Sequence, residues 1–398
     1  MAARPIQLAS RLNLMAVWSA SKDARLRGRS SGVDGVRPDA FGRRLEDNLA
    51  RLRERLLSGS FKYQDLRPVF LPREGKSDRV ICVPTVEDRL VQRVALTYLT
   101  SGDKLSVRNQ VSFGFHSGKN SGVREAVRTA RRLREQHRYV VKSDIQSFFD
   151  AIHRPALKAD LLKKLRQRSV VPFLLAAIDT EIRPSDQSDV DRLSSTTIKH
   201  GFGLRQGMPL SPLLSNFVLR DFDNGIVAAG FRMVRYADDF AIFCDSADEC
   251  QRALALVVDL LARKNHEVPA PGAGSKTQIY SPVDSVEFLG FEIKPEKKSY
   301  KIVVPESARV RVRELAAPFG SFATCQTQYK TLGRALQALD LKLSSFGSSF
   351  QVAKNHDDLM NHISQCRSAT TRQLIADLFE QEALRHVTQD KKTFLGMA

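Results

Sequence analysis

Apolar residues recur at helical spacing along much of the chain, and short apolar runs typical of strands separate these stretches. Helical spacing covers residues 10–27, 40–57, 86–99, 121–137, 155–182, 206–225 (a turn followed by a helix) and 247–264. Strand-like runs cover residues 61–72, 80–84, 139–145, 231–236, 240–244, 286–293 and 300–304. Beyond Pro305 the pattern is mostly helical. The chain is therefore expected to mix helices with strands and to end in helices.

Length and composition favour a folded protein with more than one core. A chain of 398 residues exceeds what one compact core usually holds, so two or three subdomains are expected. Hydrophobic residues make up 42% and charged residues 27%, which excludes global disorder. No stretch approaches the roughly 20 apolar residues that span a bilayer. The first residues lack a signal-peptide layout, and the five scattered cysteines contain no CxxC pair. We therefore expect a cytoplasmic protein without a membrane partner, a disulfide scaffold or an ordinary zinc finger.

The basic excess of the chain is concentrated in its first third. Lys and Arg number 62 and Asp and Glu number 44, which gives a formal charge of +18. Residues 1–140 hold 28 basic and 14 acidic residues, whereas residues 141–300 hold 21 of each. Such a field attracts polyanions and supplies affinity through counterion release. The asymmetry favours a nucleic-acid partner over the alternative, a generic solubilising surface.

Aspartates stand at the ends of apolar runs in the middle of the chain. Asp144 ends the run 139–145, and Asp238 and Asp239 lie between the runs 231–236 and 240–244. Adjacent acids between apolar strands are unfavourable unless they are exposed at a hairpin tip, where hard divalent cations bind. A third acid from a neighbouring strand would complete a two-metal site for phosphoryl transfer. The alternative is a solvated β-turn.

The segment 203–216 combines features of a loop that approaches a ligand. Its sequence is GLRQGMPLSPLLSN, in which two glycines and two prolines precede the start of a helix. The glycines allow close approach of the backbone, the prolines fix the loop, and a helix start favours phosphate. A well-made turn without a ligand gives the same pattern.

Taken together, these segments resemble bacterial reverse transcriptases of the group II intron-like and defence-associated lineage. The resemblance covers about residues 30–300 and rests on ordered motifs: SGVDGV, GKSDRVICVPTVEDRLVQRV, SFGFHSGKNS, KSDIQSFFD, RQGMPLSPLLSN, RYADDF, SKTQI and FLGF. It implies an α+β right-hand polymerase with fingers, a palm of antiparallel sheet and helices, and a short helical thumb. The implied domains are 1–138 (N-terminal extension and basic fingers), 139–304 (palm, with an insertion at about 183–200) and 305–398 (helical thumb and C-terminal region).

The resemblance implies a two-metal site at the three aspartates. Asp144, Asp238 and Asp239 match the metal-binding aspartates of the family, and the backbone carbonyl of Ile145 is an additional implied ligand. Two Mg²⁺ ions are the implied cofactors, with Mn²⁺ as an alternative. Lys276, in the SKTQI motif, matches a basic residue near the pyrophosphate leaving group, which implies a role as general acid.

Other matching residues are implied to hold the nucleotide and the primer. Phe149 stands at the place of the aromatic residue that screens the sugar 2′ position, so deoxynucleotides are the implied substrates. The remaining implied nucleotide-binding residues are Arg73, Lys76, Arg79, Gln206 and Gly207. The implied primer support is Phe288, Leu289 and Gly290. Core packing or a solvated charge cluster is the alternative interpretation of these positions.

The implied function is RNA-directed synthesis of cDNA from dNTPs, and the motif wording favours antiviral (phage) defence. The implied partners are a structured noncoding RNA as template, the DNA product, and a second copy of the chain or an accessory defence protein. One alternative is an untemplated or protein-primed DNA polymerase of a defence system. Another is an RNA-binding intron splicing factor, which is disfavoured because we expect no maturase region after the palm. Viral RNA-dependent RNA polymerases share the palm, but Phe149 and the ADD wording favour deoxynucleotides.

Overall fold

In the computed structural model, helices and strands are interspersed up to residue 303, and helices alone follow among the described residues. The structure describes residues 14–379 except 22, 24–29, 74, 117, 119–120, 166–169, 273 and 298, together with residue 388. Across that part of the chain, every helix is too short or too polar to cross a membrane. The fold class expected from the sequence, a mixture of helices and sheets, is confirmed at this level.

The helices and strands follow one another in an irregular order. The helices are α1 (Leu14–Ala20), α2 (Pro38–Arg43), α3 (Leu45–Ser58), α4 (Val86–Thr100), α5 (Val123–Gln136), α6 (Phe148–Ala151), α7 (Arg154–Lys164), α8 (Val171–Ile178), α9 (Gln187–Ser194), α10 (Ser211–Ala228), α11 (Ala247–Ala262), α12 (Glu306–Ala316), α13 (Phe322–Tyr329), α14 (Leu332–Ser348) and α15 (His356–Leu378). The strands are β1 (Arg67–Arg73), β2 (Lys76–Val83), β3 (Tyr139–Asp144), β4 (Arg232–Tyr236), β5 (Asp239–Cys244), β6 (Gln278–Tyr280), β7 (Val286–Phe288), β8 (Phe291–Glu296) and β9 (Ser299–Val303).

The chain groups into two compact units, and the first contains the motif residues of the implied catalytic and nucleotide sites. It comprises Met1–Gly122, Val141–Ile242 and Asp248–Gln278. In this unit β1 and β2 form an antiparallel hairpin, in which Phe70 pairs with Val80 and Leu71 with Arg79. Helix α4 follows the hairpin and begins at Thr85, whose hydroxyl accepts a hydrogen bond from the amide of Asp88.

A four-stranded sheet places two acid-bearing strands side by side. Its strand order is β4-β5-β3-β6. Both β5 and β3 contain runs of buried residues, which include Phe240–Phe243 and Val140–Val141. The neighbouring strands carry the acids at adjacent ends, because the amide of Ile145 donates to the carbonyl of Asp238 at 3.1 Å.

The second unit comprises Val123–Val140, Phe243–Ala247 and Ile279–Ala398. Its three-stranded sheet has the order β7-β8-β9 with antiparallel pairs. Helix α5 packs on β9, where the fully buried guanidinium of Arg134 lies 4.8 Å from the ring centre of Tyr300. A hydrophobic core joins α5, β8 and β9 to helices α12, α14 and α15 and contains Phe291, Phe319 and Leu343.

Several boundaries differ from those that the sequence pattern predicts. The predicted helix 40–57 is two helices, because Arg44 leaves helical geometry and the side-chain amide of Asn48 donates to the carbonyl of Phe41. The predicted helix 155–182 is interrupted, and α8 begins anew with Pro172 in its first turn.

The predicted strand 286–293 is a hairpin of β7 and β8 whose turn residues have positive φ, 53° at Leu289 and 79° at Gly290. The predicted strand 61–72 is β-paired from residue 66 onward. Of the described residues in the predicted helix 10–27, residues 14–20 are helical.

Candidate active site

The turn between β4 and β5 presents two carboxylates at the edge of the four-stranded sheet. Ala237 has a φ of 58°, a left-handed conformation that reverses the chain before Asp238 and Asp239. Gly114, from the SFGF motif, packs against this turn so closely that a Cβ there would lie 2.8 Å from the Ala237 nitrogen. The turn is therefore fixed by its neighbours as well as by its own backbone.

A buried ion pair that the sequence analysis missed holds this turn from below. The guanidinium of Arg235, with no exposed surface, pairs with the carboxylate of Asp223 on α10. It also donates to the carbonyl of Ala237 at 2.9 Å and to the side-chain oxygen of Asn216 at 3.1 Å. Asn216 in turn donates to the carbonyl of Gly114 at 2.9 Å. A charged residue inside an apolar strand was the signal in the sequence, but nothing there identifies its partner.

The third acid of the implied metal site lies beside the other two. Asp144 ends β3, and its carboxylate forms an ion pair with the ammonium group of Lys276. The segment that carries Lys276 is tied to β3, because the hydroxyls of Ser143 and Thr277 are 2.6 Å apart. The structure therefore brings together Asp144, Asp238 and Lys276, which lie far apart in the sequence.

The electrostatics of the acids match the chemistry of a hard cation. Burial raises the pKa of the Asp239 carboxyl to about 6, against the lowering effect of Lys142 and together with repulsion from Asp238 and Asp144. Burial and the Asp144 carboxylate also raise the pKa of Asp238. One carboxylate oxygen of Asp239 is buried and has no hydrogen-bond partner. Buried carboxylates with an unsatisfied oxygen suit a divalent cation such as Mg²⁺.

The acids are not arranged as a ready coordination sphere. Among the described residues, no group of three or more His, Cys, Asp or Glu side chains is placed so that it could hold a metal ion. The carboxylate of Asp144 forms an ion pair with the ammonium of Lys276 instead. The donor chemistry therefore fits divalent cations, whereas the implied three-aspartate ligand set stays a prediction.

The backbone around Phe149 packs against the loop 203–207. The amide of Leu204 donates to the carbonyl of Phe149 at 2.8 Å, and the amide of Gly203 donates to the carbonyl of Ile152 at 2.8 Å. A Cβ on Gly203 would lie 2.8 Å from both the Phe149 carbonyl oxygen and the Asp150 Cα, so a larger residue would separate the two segments. The ring of Phe149 meets the buried ring of Phe148 at 5.5 Å.

The β1–β2 hairpin contributes cationic side chains on the other side of this loop. The guanidinium of Arg79 donates to the side-chain oxygen of Gln206 at 2.8 Å. The carbonyl of Gln206 accepts from the amide of Cys82 at 2.7 Å, and a Cβ on Gly207 would lie 2.4 Å from the Cys82 carbonyl oxygen. Arg73 donates to the carbonyl of Ser77 at 2.9 Å. The side chain of Lys76 lies outside the described residues.

These elements enclose one cavity of about 410 Å³ in the first unit. The carboxylates of Asp144 and Asp238 and the ammonium of Lys276 line one wall. The other lining residues include Arg73, Arg79, Phe149 and Gln206. The cavity therefore combines acids suited to cations, guanidinium groups suited to phosphates, and an aromatic ring. Phe288, Leu289 and Gly290 lie in the second unit, so their implied role in primer support stays a prediction.

One protein-family profile matches the part of the chain that forms this cavity. The profile of the reverse transcriptase (RNA-dependent DNA polymerase) family matches residues 71–293, more than half of the chain. The chain is 29% identical over 197 residues to Protein YkfC of Escherichia coli K12, a match that covers 48% of this chain and 49% of YkfC.

Two further relatives are longer proteins. The Pol polyprotein of the type-1 retrotransposable element R2 of Nasonia vitripennis is 25% identical over 244 residues, 55% of this chain and 23% of the polyprotein. The putative COX1/OXI3 intron 1 protein of Saccharomyces cerevisiae is 25% identical over 178 residues, 44% of this chain and 20% of that protein. The chain thus spans about half the length of YkfC and less of the other two. Because the family profile matches more than half of the chain, the chain belongs to the reverse transcriptase family.

Proposed function

We propose that the chain is an RNA-directed DNA polymerase that adds dNTPs to a DNA primer on an RNA template. The observation that carries this proposal is the single cavity that joins Asp144 and Asp238 to Arg79, Gln206 and Phe149. A polymerase needs both kinds of group within reach of one nucleotide, because acids must hold cations at the reacting phosphate and cations must hold the rest of the triphosphate.

Each group in the cavity has a distinct role in this proposal. Asp144, Asp238 and Asp239, with the carbonyl of Ile145, would hold the two Mg²⁺ ions. When bound, these ions activate the primer hydroxyl and stabilise the leaving oxygen. Lys276 forms an ion pair with Asp144. In this proposal it would donate a proton to the leaving pyrophosphate.

The nucleotide itself would lie between the hairpin and the loop 203–207. Arg79 is held by Gln206, so its guanidinium is oriented before a triphosphate arrives. Arg73 and Lys76 supply further cations from the same hairpin. The ring of Phe149 lies against Phe148 and excludes a 2′-hydroxyl by its bulk. Gly207 lets the loop approach β2 closely enough to close this side of the cavity.

We extend the proposal to the right-hand architecture. Residues 1–138 would form the N-terminal extension and fingers, residues 139–304 the palm, and residues 305–398 the helical thumb. Support comes from the position of the cationic hairpin before the acid-bearing sheet in the sequence, and from the helices that follow β9.

A template RNA and a DNA product would be the macromolecular partners. Support comes from the basic first third of the chain and from a cavity of about 600 Å³ in the second unit. Its lining combines five basic residues from three segments, Arg128, Arg131, Arg132, Lys301 and Lys354, with the carboxylates of Glu125 and Glu296, so that cations outnumber acids. A phosphodiester backbone suits such a surface. A structured noncoding RNA and a role in phage defence rest on motif wording alone and stay predictions.

Primer extension with purified full-length protein tests the proposed function. We expect Mg²⁺-dependent incorporation of dNTPs on an RNA template with a DNA primer, and a loss of at least about a thousandfold in the variant D238A/D239A. The double variant should remain folded, because removing two partly buried acids relieves repulsion. Full activity of this variant would refute the site. Incorporation that ignores the template sequence would favour the alternative of untemplated synthesis.

A further inference from the structure

Residues 183–200, named here the outer segment, were expected from the sequence to be an insertion without an assigned role. The outer segment begins beside Leu66, whose amide donates to the carbonyl of Glu181 and whose carbonyl accepts from Arg183 at 2.9 Å. Leu66 is the residue immediately before β1. The outer segment therefore starts at the base of the hairpin that carries Arg73 and Arg79.

The middle of the outer segment is α9, a helix without a buried residue. It is stabilised by its own cap, because Asp186 accepts a hydrogen bond from the amide of Asp189 at 2.9 Å. It has two large apolar side chains, of which Val190 is 43% exposed and Leu193 is partly exposed. A helix that buries nothing contributes little to a hydrophobic core. Arg192 connects α9 to the β1–β2 hairpin.

Arg192 of α9 contacts one face of the β1–β2 hairpin. Its guanidinium donates to one carboxylate oxygen of Asp78 through two nitrogens, at 2.8 and 2.6 Å. The same guanidinium lies 4.3 Å from the ring centre of Phe70. Phe70 pairs with Val80, and Asp78 lies two residues before Val80, so Phe70 and Asp78 share a face of the hairpin.

Arg79 is adjacent to Asp78 and so belongs to the opposite face, where it meets Gln206. The hairpin is therefore held from both faces, by Arg192 on one and by Gln206 on the other. Loss of the Arg192 contact would leave the hairpin that carries Arg79 held on the Gln206 face alone.

The end of the outer segment reaches the cavity directly. Thr196, Thr197 and Ile198 line it together with Phe149 and Arg79. The hydroxyl of Thr197 donates to the carboxylate of Asp150 at 2.6 Å, immediately after Phe149 in the chain. Both nucleotide-facing elements, the hairpin and the Phe149 turn, are thus tied to the outer segment.

We propose that the outer segment is a wall of the nucleotide pocket, and that Arg192 is a positioning residue that sets the affinity for the dNTP through the β1–β2 hairpin. This inference rests on the proposed function. It assigns a role to a segment outside the catalytic acids, since Arg192 contacts Asp78 and Phe70 and neither contact involves a carboxylate of the implied metal site.

The test measures dTTP binding by the full-length protein with Mg²⁺ and an RNA template whose DNA primer ends in a dideoxynucleotide, so that no turnover occurs. We expect R192A to weaken dTTP binding about fivefold, the change expected for loss of a partly exposed ion pair and a cation–π contact. D78A should have a similar effect, and the double variant should add little to either. In primer extension, R192A should raise the KM for dTTP and leave kcat within about twofold.

A matched control is R220A. Arg220 also pairs with a carboxylate, Asp221 at 3.0 Å, and lies 4.9 Å from the ring centre of Phe217. Neither of these partners lines the cavity, whereas Asp78, the partner of Arg192, does. R220A should leave dTTP binding unchanged. The charge-swapped variant D78R/R192D should recover part of the lost affinity, which simple loss of folding would not do.

Amide hydrogen exchange of residues 67–83 supplies a readout that is independent of nucleotide. Exchange in this hairpin should be faster in R192A than in wild type or R220A. Unchanged exchange, or faster exchange with unchanged dTTP affinity, would overturn the inference. Failure of the wild type to bind dTTP would refute the proposed function together with the inference, whereas wild-type binding that R192A leaves intact refutes the inference alone.

Discussion

The turn with Asp238 and Asp239 and the outer segment border the same cavity but are held by opposite means. The turn lies on Arg235 and Asp223, an ion pair with at most 1% of either side chain exposed. The outer segment contacts the hairpin through Arg192, whose side chain is 41% exposed. The helix α9 of this segment buries no residue.

This difference indicates that the two walls of the cavity differ in rigidity. A buried ion pair has a large desolvation penalty and adds little net stability, but removal of one partner leaves an uncompensated charge in the core. Such a pair tolerates one geometry. A partly exposed pair such as Arg192–Asp78 is worth little and can break and re-form. We therefore expect a rigid wall at the acids and a yielding wall at the outer segment.

The largest effect should come from breaking the buried pair. D223A leaves the Arg235 guanidinium buried without its carboxylate, so we expect the free energy of unfolding to fall by about 3–5 kcal/mol. Urea denaturation measures this change. D78A, which breaks the exposed pair, should lower it by less than about 1 kcal/mol. Equal losses in the two variants would remove the contrast between the walls.

The core behind Phe149 should show the next largest effect, as a pH dependence of stability. His266 is 2% exposed, and its ring lies 5.1 Å from that of Phe148. Burial lowers the pKa of His266 to about 4 from its usual 6.5. The unfolded chain therefore binds the proton first, so the stabilising contribution is complete above pH 6.5 and is lost as the pH falls toward 4.

Comparison of wild type with H266N isolates this contribution. Between pH 7 and pH 4.5, wild type should lose about 2.5 kcal/mol of unfolding free energy relative to H266N. Denaturation curves at several pH values measure the difference. A constant difference across this range would show that the ring is protonated in the folded chain or lies closer to solvent.

In the proposed function, Phe149, which lines the cavity, selects the sugar. F149A removes the ring beside the sugar, so we expect discrimination against rNTPs in kcat/KM to fall by about tenfold or more. Single-nucleotide incorporation with dTTP and UTP measures the ratio. F149Y retains the ring and serves as the control. Unchanged discrimination in F149A would assign Phe149 to packing alone.

The smallest effect is expected at the yielding wall. T197V removes the hydroxyl that donates to Asp150 while it keeps the side-chain shape, so the KM for dTTP should rise about two- to fivefold. T197S retains the hydroxyl and should behave as wild type. A larger rise of the KM for dTTP in T197V than in F149A would show that the outer segment contributes more to nucleotide binding than the ring does.

Local motifs in the sequence indicate several residues that the structure brings together, while the implied roles of these residues stay predictions. Asp144, Asp238, Arg79 and Gln206 were identified from their motifs, and the structure places all four around one cavity. These residues are recognisable because short segments determine both their neighbours and their geometry. The mixed fold class was predictable for the same reason, since strands and helices have distinct periodicities.

The supporting residues were not predictable because their partners are distant in the chain. Nothing near Arg235 indicates Asp223, and nothing near Arg192 indicates Asp78, since each pair is formed by the tertiary fold. The sequence pattern predicts one strand across Leu289 and Gly290, because the apolar residues continue through the turn of the hairpin. Periodicity reports which residues are buried, and it does not report which segments meet.

The contact between Gly207 and Cys82 has a consequence for motion. No gap separates the loop from β2, and the amide of Cys82 donates to the carbonyl of Gln206. A displacement of β2 must therefore move the loop 203–207 with it, so that the two behave as one rigid body. If the pocket opens to admit a nucleotide, the hairpin and the loop would swing as a single body against the fixed acids.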